Sequence, residues 1–332
     1  MIKYLIAFLL SFVLSLSLMP LIIKFFKAKQ ASQTILGYVE NHKDKNGTLT
    51  MGGVVFMITT LVLAFLLIEF DVTWLMCLLT SLFMGILGFM DDHLKIKYKQ
   101  NLGLRPYQKI IGQLGIAIIF AMYVYFFSGI GGKIFIPFLE KTINIGFFVV
   151  PLIVLVIIAT SNSVNLTDGL DGLAGNTTIF YLISFVLIST FLQITLYKNG
   201  ETGQILTNIQ NINLLSILFV GSILGFLMFN TSKASIFMGD VGSLCLGGFI
   251  GASACSLGLE LIVPILGFCF LFSALSVIIQ VAVFKLKKRR VFKMAPFHHH
   301  LQMSGLSEPK IVAIYSAVTI CLGVVSLIFY LI

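Results

Sequence analysis

Adjacent carboxylates at Asp91 and Asp92 stand at the end of a long apolar run, with Lys95 one helical turn further on. A carboxylate at mid-bilayer costs on the order of 2.5–3.5 kcal/mol unless it is paired or metal-bound. Acids are also scarce here, with 13 Asp and Glu in 332 residues. Two further clusters repeat the pattern. Asn165-Leu-Thr-Asp168-Gly169-Leu170-Asp171-Gly172 holds two acids and no lysine or arginine to pair them, and Asp240 follows Asn230 and Phe237 at the head of another apolar run. Oxygen donors without cysteine suit Mg²⁺, which takes one or two carboxylates together with substrate phosphates and water. Groups suited to the phosphate are present as well. Lys45 and Thr48-Leu-Thr50-Met-Gly-Gly lead into an apolar run whose first backbone N–H groups can face an anion. His298-His299-His300 offers ring donors pointing in different directions. Plainer roles compete at each place: Thr50 or Asp240 as a helix N-cap, the glycines as packing, the 165–172 acids in Asx turns.

The elements that must position these groups are membrane helices. The chain is 58% hydrophobic with 31 Phe and a mean hydropathy of +1.04. Its apolar runs of about 20 residues match the bilayer core, where the backbone must satisfy itself. Ten segments are expected, at 2–23, 52–69, 73–90, 107–128, 145–161, 175–197, 212–229, 240–258, 260–284 and 309–331. The fold expected is therefore an all-α, ten-span polytopic membrane protein, read as one domain over 1–332. Alternation in Lys133-Ile-Phe-Ile-Pro-Phe followed by Lys141-Thr-Ile-Asn-Ile predicts a small outer hairpin between segments four and five. The cysteines (77, 245, 255, 269, 321) lie inside apolar runs without a Cys-x-x-Cys pair, so neither a disulfide framework nor a zinc site is indicated.

The net charge of +9 belongs to topology. All of the 22 basic residues except Lys3, Lys133, Lys141 and Lys198 fall in the loops after segments 1, 3, 5, 7 and 9. The positive-inside rule makes those loops cytoplasmic and both termini extracytoplasmic. Anionic headgroups then account for the basic excess, and no nucleic-acid partner is expected. The same sorting puts every polar cluster on the cytoplasmic side. Five loops supply carboxylates, amides, glycines, lysines and histidines to one face, while no Walker A loop is present.

Asp91-Asp92-x-x-Lys95, Asn165-x-x-Asp168-Gly-x-Asp171-Gly and Gly239-Asp240-x-Gly242-Ser243 resemble the polyprenyl-phosphate N-acetylhexosamine-1-phosphate transferase superfamily. Thr48-x-Thr50-Met-Gly-Gly and Met294-Ala-Pro-Phe-His-His-His300 narrow the resemblance to its phospho-N-acetylmuramoyl-pentapeptide branch. It spans essentially the whole chain, with two departures: Leu49 where proline is common, and Leu301-Gln302 where Phe-Glu is common.

The resemblance implies transfer of phospho-MurNAc-pentapeptide from UDP-MurNAc-pentapeptide to undecaprenyl phosphate with Mg²⁺, in a bacterial plasma membrane, by a homodimer. Carried over by position, it implies catalytic roles for Asp91, Asp92, Asp240 and His298. It places Asp240 and Asp168 at the metal. Substrate contacts fall to Lys45, Thr50, Lys95, Asn165, Asp168, Gly169, Leu170, Asp171, Asn230, Phe237, His299 and His300. Asp91 is the expected general base for the lipid phosphate, with aspartate as a covalent nucleophile the other route. A sister transferase acting on UDP-GlcNAc is the neighbouring reading. A secondary transporter is the non-enzyme one, which predicts charges near mid-bilayer and repeated halves.

Overall fold

The computed structural model describes residues 2–29, 47–100, 102–136 and 141–331; Lys45 lies outside them. Each expected apolar segment holds a helix. In chain order the elements are α1 (Ile2–Ala28), α2 (Val54–Leu67), α3 (Val72–Tyr98), α4 (Pro106–Phe127), β1 (Lys133–Ile136), β2 (Lys141–Asn144), α5 (Val149–Thr167), α6 (Leu173–Lys198), α7 (Gln204–Leu227), α8 (Gly239–Cys255), α9 (Val263–Leu266), α10 (Phe268–Lys287), α11 (Phe297–Met303) and α12 (Glu308–Leu331). Eight are long and apolar enough to cross a membrane. The other two in the expected set, α2 and α8, have 14 and 17 residues. At 1.5 Å per residue they fall short of the roughly 30 Å of hydrocarbon. Both begin at the polar clusters.

Helix α7 is the central post, buried along most of its length, whereas α1 and α10 turn most of their surface outward. Small residues let neighbours come close to it, as is common between membrane helices. Ser15 of α1 donates to the Ser222 carbonyl at 2.7 Å. Phe226 meets Phe56 of α2 edge-on, and Phe219 stacks on Phe249 of α8 at 4.3 Å. The most extensive helix pair is α3 with α8. Ser81 donates to the Cys245 carbonyl at 2.9 Å, and Gly248 faces Met84 and Ser81. On its other side α8 lays Gly247 and Gly251 against Thr160, Ser161 and Ile157 of α5. Helix α8 is thus clamped between α3 and α5, the two helices whose ends carry the other acids.

Several boundaries differ from the sequence expectation. Asp91 and Asp92 do not open a loop; they lie inside α3, which runs on to Tyr98. Lys95 sits four residues after Asp91 and three after Asp92, so pairing on one helical face holds the polar extension. Likewise α5 continues through Asn162 and Asn165 to Thr167, leaving Asp168 as its C-cap residue. Neither N-cap alternative holds. Helix α2 starts after Gly53 rather than Thr50, and α8 starts after Met238, putting Asp240 inside its first turn. The ninth segment is broken, with α9 and α10 meeting at Gly267.

The hairpin is present, with Lys133 opposite Asn144 and Ile136 opposite Lys141. It docks on the far end of α8, where the Phe135 N–H donates to the Gly258 carbonyl at 2.9 Å.

Candidate active site

Three helix ends converge to make a charged cluster. Asp91 and Asp92 come from the last turns of α3 and are buried; Asp240 comes from the first turn of α8 and is half-buried. One ligand oxygen from each lies within 4.8 Å of the others. Such crowding of like charges requires cations, and two lysines supply them. Lys95 Nζ lies 2.6 Å from Asp91 Oδ2, 3.6 Å from Asp92 Oδ1 and 3.0 Å from Asp240 Oδ2. Lys109, from the first turn of α4, reaches Asp240 Oδ2 at 2.8 Å. The remaining carboxylate oxygens are also oriented. Asp91 Oδ1 accepts the Leu104 N–H at 2.8 Å, and Asp92 Oδ2 accepts the Val241 N–H at 3.1 Å. Asp240 Oδ1 accepts from the Asn165 amide at 2.8 Å, and the same nitrogen reaches Ser243 Oγ at 2.8 Å.

Around this cluster three loops are laced together by backbone. Residues 49–53 and 236–238 pair: Phe237 N–H donates to the Leu49 carbonyl, and the Gly52 and Gly53 N–H groups donate to the Phe237 and Met238 carbonyls, at 2.8 to 3.0 Å. The tie runs through the Leu49 main chain, so a proline is not needed at that position to hold the loop. Asn230 joins the 168–172 turn to the same layer. Its Oδ1 accepts from the Gly172 N–H at 3.0 Å and its amide donates to the Ile236 carbonyl at 2.8 Å. Asp171 accepts the Ala234 N–H at 3.2 Å. Leu170 packs with Leu173, Cys269, Ile311 and Tyr315. Asn230, Asp171 and Leu170, carried over as substrate contacts, therefore hold the site's frame through these contacts.

The three histidines lie on α11 and do different things. His300 accepts the Lys293 N–H at 3.1 Å on Nδ1 and stacks on Phe297. His299 Nδ1 shares a 3.2 Å hydrogen bond with Gln302. His298 is fully buried beneath Gly169, and neither ring nitrogen has a hydrogen-bond partner among the described residues. Burial, then the adjacent His299, hold its pKa well below the usual histidine value. Asp168, beside this turn, is pushed the other way. Burial and the charges of Asp240, Asp92 and Asp171 raise its pKa well above the ordinary carboxylate value.

The His298 shift has a consequence for stability. Below about pH 6.5 the unfolded chain takes up a proton here that the folded chain refuses. Folding then loses about 1.4 kcal/mol per unit of falling pH, until the depressed folded pKa is reached. In a His298→Gln variant this contribution is absent. The melting temperature of wild type relative to the variant is expected to fall steadily from pH 7 to pH 5 and to be constant above pH 7.

The structure brings Asp91, Asp92, Asp240, Lys95 and Asn165 into direct contact. It sets Thr50 near them, because a Cβ on Gly239 would meet both Asp92 Oδ2 and Thr50 Oγ1. Phe237 contributes its backbone to the loop pairing. Two groups in the cluster were not picked out from the sequence as site residues, Lys109 and Ser243. A signal for Lys109 existed, since it is the one charged side chain in α4, but as a loop lysine it was counted only toward topology. Removing its ammonium in Lys109→Gln is expected to lower kcat/KM about a hundredfold, as for other single charge-stabilising donors. The control is thermal stability, which should stay near wild type.

The donor set suits a hard divalent cation. Three carboxylates converge, and two ammonium groups leave one negative charge unmatched. The Asn165 amide and the high-pKa Asp168 stand close by. Asp240 is the residue on which most of these contacts meet.

A profile of glycosyl transferase family 4 matches residues 74–258, from α3 to the end of the α8 turn. Three bacterial proteins named phospho-N-acetylmuramoyl-pentapeptide-transferase are similar over nearly their whole length. That of Clostridium novyi (strain NT) is 42% identical over 327 residues, 96% of this chain and 95% of its own. That of Thermoanaerobacter sp. (strain X514) is 39% identical over 319 residues, 96% of each chain. That of Halalkalibacterium halodurans is 38% identical over 316 residues, 94% and 92% of the two chains. With the motif residues gathered at one helix-end cluster and these similarities running almost end to end, the chain belongs to the phospho-N-acetylmuramoyl-pentapeptide-transferase family, within glycosyl transferase family 4.

Proposed function

We propose that the cluster transfers phospho-MurNAc-pentapeptide from UDP-MurNAc-pentapeptide to undecaprenyl phosphate, forming lipid I and UMP, with Mg²⁺ held by Asp240 and Asp168. The observation that carries this reading is the convergence of Asp91, Asp92 and Asp240 within 4.8 Å around two lysines. The family of named transferases supports the choice of substrates. One diphosphate linkage is exchanged for another, so no separate energy source is required. When bound, Mg²⁺ would neutralise charge on the diphosphate and on departing UMP.

The protein groups have separable tasks. An arriving diphosphate offers Lys95 and Lys109 an anionic partner other than Asp240, which releases carboxylate oxygens for the cation. Asp91, held by the Leu104 N–H on one oxygen, keeps the other for the acceptor phosphate once Lys95 turns to the donor. Asp92 is fixed by the α8 backbone and keeps α3 in register with Asp240. His298 is a buried neutral imidazole with both nitrogens unpartnered, suited to hydrogen-bond a substrate group entering beside Gly169. His299 and the Asn165–Asp168 turn supply further contacts.

The setting proposed is a bacterial plasma membrane, with ten spans and the cluster at the cytoplasmic ends of α3, α5 and α8. Charge placement supports that orientation, with both termini outside. A homodimer is proposed on the family resemblance alone.

The deciding experiment uses purified protein with UDP-MurNAc-pentapeptide, undecaprenyl phosphate and Mg²⁺. UMP release is expected, and it should vanish with EDTA and return with added Mg²⁺. UMP release from UDP-GlcNAc and not from the muramoyl pentapeptide would instead favour the sister transferase.

A further inference from the structure

A cavity of about 430 Å³ lies at the opposite end of α8 from the aspartates. The 17 residues of α8 separate the two by roughly 25 Å. The cavity's size falls in the range of small-molecule sites. Its floor is apolar, built by Leu192 and Leu196 of α6, Ile205 and Ile209 of α7, and Leu257 and Leu259 beyond α8. Among the described residues its only two charges come from different elements: Lys133 from the hairpin and Glu201 from the α6–α7 turn. Neither makes an ion pair with a described residue. The hairpin wall is fixed, since Phe135 is bonded to Gly258 and the Ile145 N–H donates to the Gly132 carbonyl at 2.9 Å.

An ammonium and a carboxylate that have no ion-pair partner among the described residues, set above hydrocarbon, complement a ligand that carries both charges and an apolar part. The depth of the cavity says where such a ligand comes from. Phe127, Phe147, Phe148 and Tyr197 are all exposed at this end of the molecule, 55% or more. Exposed aromatics at the end of a membrane protein mark the level of the lipid headgroups. We propose that the cavity binds the headgroup of an aminophospholipid, with Lys133 meeting its phosphate, Glu201 its ammonium, and its chain lying on Leu192 and Leu196.

The test is retention of added lipid by the full-length protein in detergent, followed by native mass spectrometry. Phosphatidylethanolamine and phosphatidylglycerol are offered at equal concentration. Wild type is expected to keep phosphatidylethanolamine about threefold better, the size of one solvent-exposed charge pair. Glu201→Gln should erase that preference, and Lys133→Gln should weaken retention of both lipids about threefold. Both side chains are exposed, so folding is checked simply by melting temperature. Equal retention of the two lipids by wild type, or retention unchanged in both variants, overturns the proposal. So does displacement of phosphatidylethanolamine by a free dipeptide at millimolar concentration, which would make the ligand a soluble zwitterion.

Discussion

Replacing Asp240 with alanine is expected to lower UMP release at least about a thousandfold while the protein stays folded. Five groups converge on this carboxylate: Lys95, Lys109 and Asn165 bond to it directly, and Asp91 and Asp92 lie beside it. Without it the two lysines lose the anion they share, and the remaining carboxylates no longer close around a cation. Single donors aimed at developing charge are worth a hundred- to a thousandfold, and Asp240 organises several at once. Folding has other supports. Helix α8 is held by Ser81 on its carbonyl at Cys245 and by glycine contacts to α3 and α5, none of which involves the carboxylate. The measurement pairs UMP release with a melting curve. Activity within tenfold of wild type would remove Asp240 from the metal role, whereas lost activity with a collapsed melting curve would leave that role undecided between site and scaffold. Asp240→Asn then separates the two, because it keeps the side-chain size and one accepting oxygen while removing the charge and turning the other oxygen into an NH2 donor.

What the chain discloses before folding follows from the physics of each signal. Hydropathy reports where apolar side chains stop, and the ten segments located by it each contain a helix. It does not report where helical hydrogen bonding stops, so α3 and α5 extend past their apolar runs through Lys97 and Asn165. The acids were legible because charge at a membrane edge is costly and therefore conspicuous. Lys109 was not, because a lysine at that edge is ordinary until its partner is known, and its partner lies 131 residues away. Asn230 and Leu170 show the reverse limit. Position within a motif marks them as important without saying whether they touch substrate, and in the fold they meet Gly172, Ile236 and the Tyr315 cluster. A motif is thus a record of both chemistry and framework, and only the fold divides one from the other.

That division is sharpest at Gly88, and Gly88→Ala is the second large effect expected. Gly88 sits on α3 one turn before Asp91 and Asp92. A Cβ there would collide with the carbonyl group of Asp240 and come within 2.6 Å of the Val241 nitrogen. Both colliding groups are backbone, so no rotamer change relieves the overlap. Helix α3 and the first turn of α8 must move apart, and they are the two elements that carry the three aspartates. The shift also opens the bond from the Val241 N–H to Asp92, now 3.1 Å. Displacing reacting groups by about an ångström costs on the order of a hundredfold in rate. Overpacking of a tight contact costs typically 1–3 kcal/mol. Gly88→Ala is therefore expected to lose about a hundredfold in kcat with a lower melting temperature, although the methyl group adds no chemistry of its own. The matched control is Gly115→Ala on α4, where an added Cβ meets nothing within 4 Å. Alanine favours a helix over glycine by about 1 kcal/mol, so that variant should be as active as wild type and no less stable. Equal activity in the two variants would mean that the α3–α8 contact tolerates separation and that the spacing of the aspartates is set elsewhere.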